Sequence, residues 1–131
     1  MANEVAEFKS KIDSRYNMAV DQLVIILAEN DSNVNRSASS LMSNHALMYK
    51  QQDLMKYAIT CHNKHISLHL MPIYCYADIH KKFNKIIKSG KFQKGCINFA
   101  DYNNLPLTDI AQLIAECAAA PYPTQYQLDR K

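Results

Sequence analysis

The side chains with the widest chemical reach in this 131-residue chain are its five histidines, since neutral imidazole is the commonest protein ligand for zinc, iron and nickel. Spacing sorts them. His65 and His69 share one face of an extended segment but lie about 13 Å apart at ~3.3 Å per residue, too far to hold one ion. His62 and His65 flank Asn63-Lys64, a dipeptide suited to a two-residue turn, and so could face each other as a two-ligand metal site. Exposed turn histidines are the alternative. His45 and His69 form a second pair if a strand over 45–49 lies in register, because both would then flank the small Ala58. Lys56, Thr60 and Ser67 would surround that dent, making a candidate site for a small anion or a partner's backbone, against a plain solvated sheet face.

Charge gives the next candidate. Residues 1–31 hold six acids and three bases, the remainder six acids and twelve bases, and between Asp78 and Asp101 six lysines occur with no acid among them. Lys81, Lys82, Lys85 and Lys88 fall on the side of a predicted helix away from Phe83 and Ile86. An acidic protein partner, or weak salt-dependent nucleic-acid contact, would satisfy this surface, whereas a solvated helix face would leave it bare; a homodimer is the other partner arrangement expected. The net charge of +3 is too small to argue for nucleic acid.

Catalytic motifs are missing. The chain has no His-Glu-x-x-His and no nucleophile elbow around a serine, and Cys61 or Cys75 would need a histidine brought to it by the fold. Two glycines, Gly90 and Gly95, leave little material for a phosphate-cradling loop. A non-catalytic protein is expected. The cysteines at 61, 75, 96 and 117 include no close pair, which reads as reduced, mostly buried thiols. Six charged residues within the first fifteen are incompatible with the apolar core of a secretory signal, and the longest apolar run, Leu23 to Ala28, is far short of a membrane span. A cytoplasmic protein without a membrane segment is the reading that follows.

The elements that must position these groups come from periodicity. Val5, Phe8 and Ile12 predict a helix over 3–12, and Tyr16, Val20, Leu23 and Leu27 a second over 15–29, with Asp13 and Ser14 as caps between them. Residues 30–43, rich in Asn, Asp and Ser, predict a surface loop. Around Asn63-Lys64, Cys61 meets Ile66, Ile59 meets Leu68, Tyr57 meets Leu70 and Met55 meets Pro72, giving one apolar face. The other face pairs His62 with His65, Thr60 with Ser67, Ala58 with His69 and Lys56 with Met71. Such a sheet is covered on one side only. A strand over 45–49 joins through a turn at 50–53, and Tyr74–Tyr76 extends the sheet past Pro72. A helix over 79–89 capped by Asp78 and stopped at Gly90, a strand over 96–99, and a helix over 107–119 complete the domain. Residues 121–131 read as a polar, poorly ordered tail. The fold class is α+β, a two-layer sandwich of an antiparallel sheet with helices packed on one face.

Met48-Tyr49-Lys50, the run Lys64 to Pro72, the run Lys94 to Phe99 and Leu105-Pro106-Leu107 make residues 1–120 resemble the YdhG-like domain family, a domain of unknown function. The chain departs from it at Ser43-Asn44-His45, where many members place glycine and proline. The resemblance implies the same α+β sandwich and, through one branch described as a frataxin-like iron chaperone, iron as a ligand. Iron handling of that kind uses acidic surface near the first helix, where this chain offers Glu4, Glu7 and Asp13. The function expected is ligand binding or a chaperone-type role, with a lysine-based interaction module as the alternative.

Overall fold

The computed structural model describes residues 3–129. Helix α1 (Asn3–Lys9) stops short of the 3–12 span expected and is followed by a short 3-10 turn at Ser14–Tyr16, where the Asp13 carboxylate accepts the Arg15 N–H at 3.0 Å. That cap separates α1 from α2 (Asn17–Asn30), as the sequence predicts. Six strands follow: β1 (Asn35–Leu41), β2 (Asn44–Gln51), β3 (Leu54–Cys61), β4 (Ile66–Leu70), β5 (Lys91–Phe92) and β6 (Cys96–Phe99). They form one antiparallel sheet in the order β1-β2-β3-β4-β6-β5. Between β4 and β5 lie α3 (Met71–Cys75) and α4 (Ala77–Ile86), and α5 (Leu107–Ala119) and α6 (Gln125–Asp129) close the chain.

The central hairpin has the register read from its alternation: Tyr57 opposite Leu70, Ile59 opposite Leu68 and Cys61 opposite Ile66. All of them but the half-buried Cys61 join Leu47, Tyr49, Ile97 and Phe99 in the buried core, against Phe8 of α1, Val20, Leu23 and Leu27 of α2, and Ile110, Leu113 and Ile114 of α5. Gly90 owes its place to this core, because a Cβ there would lie 2.5 Å from Ile97 Cγ2 and 2.8 Å from Phe99 Cε1.

Four expectations are corrected. Residues 30–43 are not a loop: Asn35–Leu41 pairs along its whole length with β2. The β3–β4 ladder stops at Tyr57–Leu70, so Met55 does not meet Pro72, nor Lys56 Met71; Pro72 opens α3, where its missing N–H costs nothing. For the same reason Tyr74–Tyr76 does not extend the sheet. The helix expected over 79–89 runs Ala77–Ile86, so Asp78 sits in its first turn and Tyr76 at the cap, leaving Lys88 beyond its end.

Both turns bounding β2 are built without glycine. Met42 and Ser43 have φ of 50° and 69°, Gln52 and Asp53 of 53° and 64°, the left-handed pair that a two-residue hairpin of right-handed twist requires. After α5, residues 121–129 fold back onto the sheet. Tyr122 is buried, its hydroxyl donates to the Met55 carbonyl, and Gln51 Nε2 donates to the Tyr122 carbonyl at 3.0 Å.

Candidate functional site

On the sheet face away from the core, Thr60, Ser67 and His69 come together as the hairpin register requires. Thr60 Oγ1 lies 2.9 Å from both His62 Nε2 and His69 Nε2, and Ser67 Oγ donates to Asn98 Oδ1 at 2.6 Å. A hydroxyl has one proton and two lone pairs, so Thr60 can serve both rings at once. Burial, with the His62 charge adding to it, pushes His69 down to about 4 and keeps it neutral at physiological pH. Thr60 and Ser67 are each 1% exposed, so this row is a closed network rather than an open dent.

The other two members of the proposed anion site are elsewhere. His45 is one position out of phase: Ala46 pairs with Thr60 and Met48 with Ala58, which turns His45 to the opposite face, opposite Ser40 and at a recess shared with Glu7 and Lys11. Lys56 is displaced by a bulge. Tyr49 pairs with Tyr57 and Lys50 with Met55, so Lys56 is the extra residue, and its side chain joins that of Tyr57 on the core side. There Lys56 Nζ lies 2.7 Å from Asp31 Oδ2 and donates to Gln51 Oε1 at 2.9 Å, while Tyr57 donates to the same Asp31 oxygen at 2.7 Å. With side chains 1% and 0% exposed, this is a desolvated ion pair tied to the end of α2.

His62 and His65 do face each other, with rings stacked at 4.7 Å and 26°. Thr60 already engages His62 Nε2. Among the described residues no group of three or more His, Cys, Asp or Glu side chains could hold a metal ion. The acids of the first helix region are already engaged: Glu4 with Arg36 at 3.0 Å, Glu7 with Lys11 at 3.3 Å, Asp13 with Arg15 at 3.6 Å. Thiol chemistry is suppressed where burial pushes Cys61 and Cys117 up to about 12.

The lysine surface is partly neutralised. Lys82 Nζ reaches Glu116 of α5 at 2.5 Å, an acid that counting along residues 78–101 could not reveal. Lys81, Lys85 and Lys88 are exposed and, among the described residues, make no ion pair.

A groove that sequence reasoning missed lies between α3, the first turn of α4 and the returning segment 121–125. It has a volume of about 950 Å³ and is walled mainly by Ile73, Tyr74, Tyr76, Pro121 and Pro123, with Cys75, His80, Lys94 and Thr124 among its polar groups. Tyr76 donates to the Pro121 carbonyl at 2.5 Å, and His80 Nε2 lies 2.8 Å from the Gln93 carbonyl, so two hydrogen bonds hold its walls. The clue in the sequence was the density of tyrosine and proline in 72–76 and 121–123, in segments read as strand and tail.

A six-stranded antiparallel sheet covered by helices on one face defines a small α+β domain of the YdhG-like fold. The crystal structure of a DUF1801-family protein, YdhG of Bacillus subtilis, is similar to this chain with a TM-score of 0.66 over 87% of each chain, at 11% sequence identity. At that identity the likeness is one of fold. No family model matches the sequence, and no curated protein matches it. Among the described residues no helix is long and apolar enough to cross a membrane.

Proposed function

We propose that this protein is a non-catalytic, cytoplasmic binding protein whose ligand is a small amphipathic molecule with an apolar body and an anionic end. The groove carries the reading. Its volume of about 950 Å³ suits a drug-sized ligand, its walls are tyrosine, proline and isoleucine, and Lys94 supplies a cation at the rim. Beyond Lys94, the unpaired Lys81, Lys85 and Lys88 add positive potential that draws an anion in. The polar sheet face, by contrast, has spent its hydrogen bonds internally. Frataxin-like iron handling finds little support, since Glu4, Glu7 and Asp13 are each held by a cation.

Titration with anilinonaphthalene sulfonate should give saturable fluorescence, reversed by decanoate. Ala77→Trp, at an exposed position on the groove wall, should abolish the signal without lowering Tm, and Lys94→Gln should weaken decanoate more than decanol. Dye binding unchanged in Ala77→Trp would refute the assignment.

A further inference from the structure

The two edges of the sheet are finished differently. At one, β5 is two residues long and presents the exposed Lys91, too short and too charged an edge to pair with another strand. At the other, β1 runs seven residues, matched to β2 without a bulge from Asn35 opposite Lys50 to Leu41 opposite Asn44. The run Asn35-Arg36-Ser37-Ala38-Ser39-Ser40-Leu41 has no proline and no lysine, and its single charge, on Arg36, is held by Glu4 at 3.0 Å. The usual devices that keep an edge solitary are missing here.

Which backbone groups stay open follows from the turn. Met42-Ser43 is a two-residue reversal with both φ positive, and in such a hairpin the closing pair, Leu41 and Asn44, exchanges both hydrogen bonds. Alternation then turns Asn35, Ser37 and Ser39 toward β2 as well, and leaves the N–H and C=O of Arg36, Ala38 and Ser40 pointing away from the sheet. Among the described residues nothing pairs with them.

The open groups are symmetric about Ala38, and that symmetry identifies the occupant. A second β1 laid antiparallel, with Ala38 on the twofold, sets Ala38 opposite Ala38 and Arg36 opposite Ser40 on either side of it, each pair placed to exchange both bonds. On the outer face Ser37 then meets Ser39, small side chains with no charge to repel. On the helix face Arg36 of one copy comes beside the recess of the other, where Glu7 stands near Ser40. An unrelated peptide would gain the same backbone bonds, but the serines and alanine along this edge offer little by which to read its side chains. We infer that the free edge of β1 is a homodimer interface, in which two copies of this chain join β1 to β1 about a twofold at Ala38 and make one continuous antiparallel sheet. The edge shares no residue with the groove of α3 and α4, so either assignment can fail without the other.

Sedimentation velocity of the full chain between micromolar and millimolar concentration should show a reversible monomer–dimer equilibrium. Over the same range, amide hydrogen exchange read by NMR should slow at Arg36, Ala38 and Ser40 as concentration rises and stay constant at Ser37 and Ser39, whose amides already serve β2; this readout needs no variant. Ala38→Pro removes only an outward N–H, a change an edge strand tolerates, and should weaken the dimer by about 30-fold because the twofold removes the bond twice. Ser37→Lys with Ser39→Lys sets like charges against each other and should abolish association at low salt, while Ser37→Glu with Ser39→Lys sets opposite charges in the same register and should restore it. A chain that stays monomeric at millimolar concentration overturns the inference, even if the edge captures a strand from another protein. So does a dimer whose amide protection lies elsewhere, or one that both Ala38→Pro and the paired lysines leave intact.

Discussion

Replacing Lys56 by methionine isolates the charge of the buried pair, because the new side chain keeps the length and apolar stem while Asp31 stays in place with Tyr57 as its remaining side-chain donor. Both side chains are essentially inaccessible and the contact is 2.7 Å, so solvent cannot take over the lost partner. Removing one member of such a pair typically costs about 3–5 kcal/mol, most of it the penalty of an uncompensated buried charge. For a 131-residue chain unfolding with about 2.1 cal/mol/K of entropy per residue, that corresponds to a Tm lower by about 11–18 °C. Calorimetry of Lys56→Met, Asp31→Asn and the double variant measures it. The double variant, neutral at both positions, should lose clearly less than the sum of the singles, with a coupling of about 1–3 kcal/mol. A Lys56→Met fall under about 4 °C, or singles that simply add, would show that the pair is not desolvated as the bulge implies.

Two further outcomes are expected from the same physical picture. Because His69 is held down to about 4 while the unfolded imidazole titrates near 6.5, the unfolded chain binds more protons between those values; stability is full above about 6.5 and declines as pH falls toward 4. Urea denaturation of wild type and His69→Gln across that window should show a steeper decline in the wild type, and parallel curves would contradict the neutral, buried assignment. Gly90→Ala forces a Cβ into Ile97 and Phe99 and should destabilise by about 1–3 kcal/mol in chemical denaturation, with a neutral result refuting the close approach.

What the sequence made legible was whatever alternated cleanly. Ile59 opposite Leu68 and Thr60 opposite Ser67 followed from a two-residue turn and an apolar face, and α5 from its stripe of Ile110, Leu113, Ile114 and Cys117. β1 escaped because Asn35-Arg36-Ser37-Ala38-Ser39-Ser40-Leu41 has neither β-branched residues nor contrast between faces; as an edge strand it takes its conformation from β2. Lys56 escaped because one extra residue reverses the parity on which facing is read. His45 follows the same parity: with Ala46 opposite Thr60, a shift of one residue from the register expected moves it across the sheet. The groove depends on residues 73–80 meeting 121–125, a contact between distant segments that local pattern does not encode.

The reversals at Met42-Ser43 and Gln52-Asp53 leave β2 bracketed by backbone that L-residues adopt reluctantly, at about 1–2 kcal/mol for each such residue. Neither hairpin is therefore clamped by its own tip. Cross-strand packing of Leu47 and Tyr49 beside Ile59 and Tyr57 imposes the alignment from the flank, so an excised 35–51 peptide should stay open in water while the whole sheet holds it closed.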